Sequence, residues 1–374
     1  MLRDQVVWAT CPARLDLAGG WTDTPPICTD VGGAVVNAAV TLNGQYPLQA
    51  ICRLTDEPVI RLSSIDLGRT VTFRTTGELL KVGDPSDWAA LPKAALLLAG
   101  FVPTPTARGT AQSLRRHLER FGAGLDVTLF SALPKGSGLG SSSILGATLI
   151  AALLRVLDAR HASRQRVIDL TSQLEQIMST GGGWQDQAGG TTTGVKLITS
   201  NAGPSQELTF TEIPYRDLLL TPEAHARCLL YYTSQRRLAK NILRNVVGGY
   251  LGREPRVRGV IDRLKTGAFE MAETFKNGSL DQVGACLSDY WSLKKRLDPG
   301  STNRDIESLF GSIERELSGG TILGAGGGGF VLFIARDERA AAKIRRRLTG
   351  ARASELARFY DFAIDRQGLG VSVL

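Results

Sequence analysis

From residue 144 to residue 157 the chain is apolar on every side, beginning Ile144-Leu145 and ending at Leu157, which predicts a helix buried all round. Val167, Ile168, Leu170, Leu174, Ile177 and Met178 recur at helical spacing and predict a second helix with one apolar stripe. Shorter β-branched and apolar runs predict strands at 5–10, 34–40, 48–53, 71–73 and 125–129, with turns at Asn43-Gly44 and Glu78 and a helix at 91–98. Strand, glycine loop and buried helix in that order describe an α/β lobe. Residues 200–222 carry Asn201, Gly203, Pro204, Pro214 and Pro222 and read as irregular linker with an edge strand, so the boundary between two lobes is placed there, at 1–210 and 211–374. Beyond it come a strand at 229–233 and a helix with Arg236, Lys240 and Arg244 on one face and Leu238, Ile242 and Val246 on another. Long amphipathic helices follow through Leu264, Phe275, Leu287 and Leu297, then a glycine run entering a strand at Phe330. There is no internal repeat or low-complexity segment.

Composition narrows the class. At 374 residues, 43% hydrophobic and 21% charged, the chain is long enough for two lobes and an ample core. The net charge of +8 suits an anionic small substrate without demanding nucleic acid. Its basic residues are scattered apart from Arg345-Arg346-Arg347, which fits a solvated helix face, and its 6% aromatics do not interleave with basic patches. Five cysteines, odd in number and without a C-x-x-C, argue for a reducing compartment and against a disulfide framework or a zinc site. No apolar run reaches the ~20 residues of a membrane span and no signal peptide precedes the first strand, so the expectation is a cytoplasmic protein with no membrane partner.

The chemistry concentrates in glycine segments. Pro134-Lys135-Gly136-Ser137-Gly138-Leu139-Gly140-Ser141-Ser142-Ser143 leads straight into the buried helix. Glycines at alternate positions let backbone N–H groups converge on an anion, and the serines stand where the helix begins. The order is neither a P-loop, because Lys135 precedes the glycines, nor the dinucleotide fingerprint, because the spacing is G-x-G-x-G. The plainer alternative is a glycine-rich turn before a core helix. Earlier, residues 12–26 bring Arg14, Asp16 and Asp23 beside two glycines, three prolines and Trp21, which reads as a rigid loop, neither helix nor strand. Glu175 lies seven residues after Ile168 and should point inward, where a metal ion or a salt bridge would satisfy it. That helix breaks at Thr180-Gly181-Gly182-Gly183-Trp184-Gln185-Asp186-Gln187-Ala188-Gly189-Gly190. This reads as a second glycine loop holding Asp186 between two amides, as a base would be held.

With the glycine run at 323–333 these segments resemble the three motifs of the GHMP kinases, the family of galactokinase, homoserine kinase and mevalonate kinase, in the family's order. Residues 19–26 and 180–187 look most like the fucokinase branch, often the C-terminal half of a bifunctional fucokinase/GDP-fucose pyrophosphorylase. The resemblance leaves open an excised domain or a stand-alone kinase. It implies an α/β (α+β) two-lobe GHMP kinase fold, with a ribosomal S5 domain 2-like N-terminal lobe and a ferredoxin-like C-terminal lobe. ATP would be cradled by Lys135, Gly136, Ser137, Gly138, Leu139, Gly140, Ser141, Ser142 and Ser143. Asp186 matches the family's base and Arg14 the arginine of its first motif, while Glu175 and Ser142 match the ligands of Mg2+. The sugar is expected against Trp21, Thr22, Asp23, Gly182, Gly183, Trp184, Gln185, Tyr232 and Gly327. One departure is Ser234, where related sugar kinases often carry Gly. The implied reaction is ATP-dependent phosphorylation of the anomeric hydroxyl of L-fucose. A D-glycero-D-manno-heptose 7-phosphate kinase and a non-catalytic sugar sensor are its rivals. The loops at 18–26 and 180–190 contain no Lys or Arg, which disfavours a sugar already bearing phosphate.

Overall fold

A computed structural model describes residues 4–374 apart from 85, 104–112, 135, 158–161, 179–180, 236–238 and 352–353, together with the backbone alone at 217 and 239–241. Nine strands lie between residues 6 and 212: β1 Val6–Cys11, β2 Ala13–Ala18, β3 Ala34–Leu42, β4 Leu48–Thr55, β5 Ile60–Ser64, β6 Arg69–Phe73, β7 Gly124–Ser131, β8 Val195–Ser200 and β9 Leu208–Glu212. Six follow: β10 Cys228–Tyr232, β11 Leu317–Ile322, β12 Phe330–Ala335, β13 Arg358–Tyr360, β14 Phe362–Ile364 and β15 Gly370–Val373. They form three sheets. One runs β15-β1-β4-β7-β5-β6, a second runs β14-β3-β8-β9 with β2 also on β3, and a third runs β11-β12-β10-β13.

The helix Ser141–Val156 packs against β1 and β4 and is buried along nearly its whole length, as an all-apolar sequence requires. The helix Arg164–Ile177 packs beside it, with Val167, Leu170 and Leu174 in the same core. The third sheet is all antiparallel. Its chain order is strand β10, long helices, β11, β12, the helix Glu338–Gly350 and β13, which is a ferredoxin-like arrangement with extra helices in the first crossover. Those helices, Pro255–Asn277 and Leu280–Leu297, lean back onto β2 and β3 and so join the two halves. Among the described residues no helix is long and apolar enough to cross a membrane.

Two local expectations are corrected. Residues 13–18 are not loop but strand β2, buried at every position. It lies inside the molecule, so Arg14 and Asp16 project from one face of a covered strand while Ala13, Leu15 and Leu17 face the core. Likewise Asp186 does not sit in a loop, because Gln185–Thr191 is a short helix with Asp186 in its first turn. Glycine is tolerated in that helix because neighbours press on it: a Cβ at Gly190 would stand 2.6 Å from the Ile144 side chain. The boundary expected at 210 falls within β9, which pairs with β8, and β14 and β15 return to pair with β3 and β1.

Candidate active site

Strand β2, the start of the Ser141–Val156 helix and the Gln185–Thr191 helix converge on one cavity of about 430 Å3. Arg14 is its centre. It is 3% exposed, and its Nε and Nη2 donate to Asp186 Oδ1 at 2.8 and 2.5 Å while Nη1 donates to the Gly138 carbonyl at 2.7 Å. A guanidinium held at all three nitrogens is a fixed charge. Burial works against that charge, but the carboxylates of Asp186 and Asp16 outweigh it and raise the Arg14 pKa above the ordinary value. Asp186 takes both bonds on Oδ1 and keeps Oδ2 for the cavity that it lines.

The glycine-serine loop forms one wall. Gly140, with φ of 73°, caps the following helix and, having no side chain, offers that helix end no side-chain hydrogen bond. The helix thus begins at the cavity wall, where first-turn N–H groups ordinarily lack intrahelical partners. Gly138 is pressed against the third glycine segment: a Cβ there would lie 2.4 Å from the Leu323 carbonyl, so the approach needs glycine. Phe330 N–H donates to the Ser137 carbonyl at 2.8 Å across the same seam. Gly136, Ser137, Gly138, Gly140 and Ser141 to Ser143 line the cavity, whereas Leu139 turns into the core. Lys135 lies outside the described residues.

Glu175 lines the cavity too, and the Ser143 hydroxyl donates to its Oε1 at 2.6 Å. The serine joined to Glu175 is thus Ser143, while Ser142 is exposed on the same wall. Among the described residues no three His, Cys, Asp or Glu side chains gather as a metal cluster. One carboxylate with hydroxyls beside a phosphate cradle is nonetheless a fitting set of hard oxygen donors for magnesium, which commonly takes one or two carboxylates plus substrate phosphates.

The opposite wall holds Trp21, Asp23, Thr24, Gly182, Gly183 and Gln185. Asp23 is almost wholly buried and accepts from the Gln185 backbone N–H and Nε2, each at 3.2 Å. Burial, reinforced by the nearby charges of Asp186 and Asp16, pushes its carboxyl up to about 7 against the opposing pull of the Gln185 N–H. Several expected sugar contacts sit elsewhere. Trp184 packs among Cys28, Val35, Ile168, Ala188 and Ile198. The Thr22 hydroxyl is spent on the carbonyls of Gly19 and Ala34. Tyr232 stacks on Phe330 at 5.0 Å, and Gly327 binds the Ser301 carbonyl through its N–H. None of these four lines the cavity.

Tyr290 and Leu243 carry no sequence signal of their own, whereas Gly324 and Ala325 come from the third glycine segment and Met178 from the apolar stripe. Tyr290, on the helix Leu280–Leu297, donates to Asp16 Oδ2 at 2.7 Å, and Met178, Leu243, Gly324 and Ala325 complete the wall. One turn beyond Tyr290, the fully buried Lys294 donates to the carbonyls of Ile322 and Gly324 and lies 4.3 Å over the Tyr290 ring. Burial lowers the Lys294 pKa to about 8, although the Asp16 carboxylate resists the shift.

A buried arginine bonded to a cavity-facing aspartate, between a glycine-capped helix end and a polar pocket, suits phosphoryl-transfer chemistry. Comparison with known proteins gives it a lineage. Residues 106–194 match the GHMP kinases N terminal domain and residues 271–353 the GHMP kinases C terminal. The chain is a GHMP-family kinase domain. It is 40% identical over 373 residues to the L-fucokinase/L-fucose-1-P guanylyltransferase of Bacteroides fragilis, covering 99% of this chain and 39% of that protein. It is 35% identical over 337 residues to the bifunctional fucokinase/GDP-fucose pyrophosphorylase of Arabidopsis thaliana, covering 90% of this chain and 30% of that one. The chain therefore spans well under half the length of these relatives. Among solved structures, a D-glycero-D-manno-heptose 1-phosphate kinase from Bacteroides thetaiotaomicron shares the fold, with a TM-score of 0.68 at 18% identity over 98% of both chains.

Proposed function

We propose that this domain transfers the γ-phosphoryl group of ATP to the anomeric hydroxyl of L-fucose, giving fucose 1-phosphate and ADP. The observation that carries the reading is the Arg14–Asp186 pair, fixed between the glycine-capped helix end on one side and Asp23 with Gln185 on the other. The helix end and the loop N–H groups hold the triphosphate. Asp186 Oδ2 accepts the proton of the attacking hydroxyl, or orients it in line, while Arg14 balances charge on the phosphoryl group in transit. Glu175 with Ser142 or Ser143 would hold magnesium, which when bound neutralises charge on the β- and γ-phosphates. Asp23 and Gln185 hold sugar hydroxyls, and Trp21 offers an apolar surface to the 6-methyl group.

Among the described residues lining the cavity Arg14 is the sole cation, and it is already committed to Asp186 and Gly138. That favours a sugar without a phosphate of its own over a heptose phosphate, which would call for a second basic group. The assay is ADP release with L-fucose, D-arabinose and a heptose 7-phosphate in competition, the product being identified by its position of phosphorylation. L-Fucose turnover to the 1-phosphate supports the reading. Preference for the phosphorylated heptose overturns the choice of sugar, and absence of turnover with every sugar overturns the kinase reading.

A further inference from the structure

Asp16 is 1% exposed and lines the cavity two residues along β2 from Arg14. One of its oxygens is spoken for, since Oδ2 accepts from the Tyr290 hydroxyl at 2.7 Å. The other, Oδ1, is buried and has no hydrogen-bond partner among the described residues. A buried carboxylate oxygen without a donor is costly, and most such groups in folded proteins find one. Nearby groups do not meet the need. Arg14 bonds Asp186 and Gly138, Lys294 bonds the carbonyls of Ile322 and Gly324, and neither bonds Asp16 Oδ1. The backbone has been kept clear around this group, because a Cβ at Gly20 would stand 2.3 Å from the Tyr290 hydroxyl and 2.8 Å from Asp16 Oδ2.

We infer that Asp16 is a substrate-binding residue whose Oδ1 accepts a hydrogen bond from a ring hydroxyl of the sugar, and that Tyr290 is the positioning residue that aims it. This rests on the reading of the cavity as a sugar site but not on which sugar fills it. Three carboxylates, Asp16, Asp23 and Asp186, then divide the hydroxyls among them, with Asp186 left to the reacting one. Because Tyr290 belongs to the helix that also grips the third glycine segment through Lys294, the sugar site is assembled from both halves of the chain.

The experiment uses the whole domain with whichever free sugar proves to be its best substrate, and that sugar's mono-deoxy analogues. In wild type, removal of one particular hydroxyl is expected to lower kcat/KM for the sugar about 10- to 100-fold. Asp16→Asn is expected to raise the sugar KM about tenfold or more, to leave the ATP KM within about twofold, and to abolish the penalty for that same missing hydroxyl alone. Tyr290→Phe is expected to weaken the same discrimination partially, which keeps the test open should Asp16→Asn fold poorly. Equal losses on every analogue, or an unchanged sugar KM in a folded Asp16→Asn protein, would overturn the inference while leaving the sugar-kinase reading intact. Failure of wild type to phosphorylate any sugar would instead strike that reading.

Discussion

Asp186→Asn separates the chemistry of the Arg14–Asp186 pair from its structural role. Two of the three hydrogen bonds made by the buried Arg14 end on one Asp186 oxygen. Bonds to a charged partner contribute about 1.5–3 kcal/mol and neutral ones about 0.5–1.5 kcal/mol. Asparagine keeps an acceptor of the same shape, so the folded state is expected to lose about 2–3 kcal/mol, with the Gly138 carbonyl still bonded to the guanidinium and the Asp16 charge nearby. The barrier should suffer more. Loss of a positioned base costs a factor of about 10²–10⁴ in kcat, equivalent to about 3–5 kcal/mol. The assay pairs kcat under saturating ATP and sugar with a denaturant titration of the same preparation. The sugar dissociation constant should move little, because the amide retains shape and part of the hydrogen bonding. Near-wild-type kcat with the expected loss of stability would make the pair a structural strut and remove Asp186 from the reaction.

Glu175→Gln is expected to raise the magnesium concentration for half-maximal activity by removing a negative oxygen ligand, and an unchanged magnesium titration would leave Glu175 as a structural partner of Ser143. Trp184→Ala is expected to cost about 3–5 kcal/mol of stability with little change in sugar KM, since the indole fills a core cluster rather than the cavity; a KM effect in a stable variant would return it to the sugar site. The Asp23 carboxyl, raised to about 7, should make sugar KM fall as pH rises through that value, because the ionised form accepts from hydroxyls. The same shift implies stability present below its unfolded value near 4 and lost as pH rises through about 7. Asp23→Asn should flatten both profiles, and an unaltered pH dependence would assign them to another group.

Much of the fold is legible in the sequence because burial leaves periodic marks. The apolar run at 144–157 and the stripe from Val167 to Ile177 could only be satisfied by core helices, and the structure places them there. Strand β2 shows why the rest is harder. Ala13, Leu15 and Leu17 alternate with Arg14 and Asp16, a period of two, but flanking Pro12, Gly19 and Gly20 carry a stronger local turn signal. Only the tertiary cover of helices makes a strand with two charges acceptable inside. Gly189 and Gly190 hid the Asp186 helix in the same way, since their reason is contact with Asn37 and Ile144 from distant parts of the chain. Trp184 exposes a further limit: composition reveals an indole beside a site but not which way it faces. Tyr290 and Lys294 are ordinary members of an amphipathic helix until their partners, Asp16, Ile322 and Gly324, are known.

The return of β14 and β15 to the opening strands bears on how the molecule comes into being. Val7 pairs with Val373 and Val40 with Ile364, and the backbones of Val6 and Leu374 exchange two hydrogen bonds of 2.9 Å. A nascent chain leaving the ribosome therefore carries β1 with one edge open until β15, at the far end of this domain, has been made. Arg14 and Asp186 can meet early, but the sheets behind them close last. Pairings between such remote segments are slow to find, and the waiting edge is the surface most exposed to mispairing or chaperone capture. The two halves distinguished by sequence motifs are thus a single folding unit, whose first sheet closes only when β15 reaches β1.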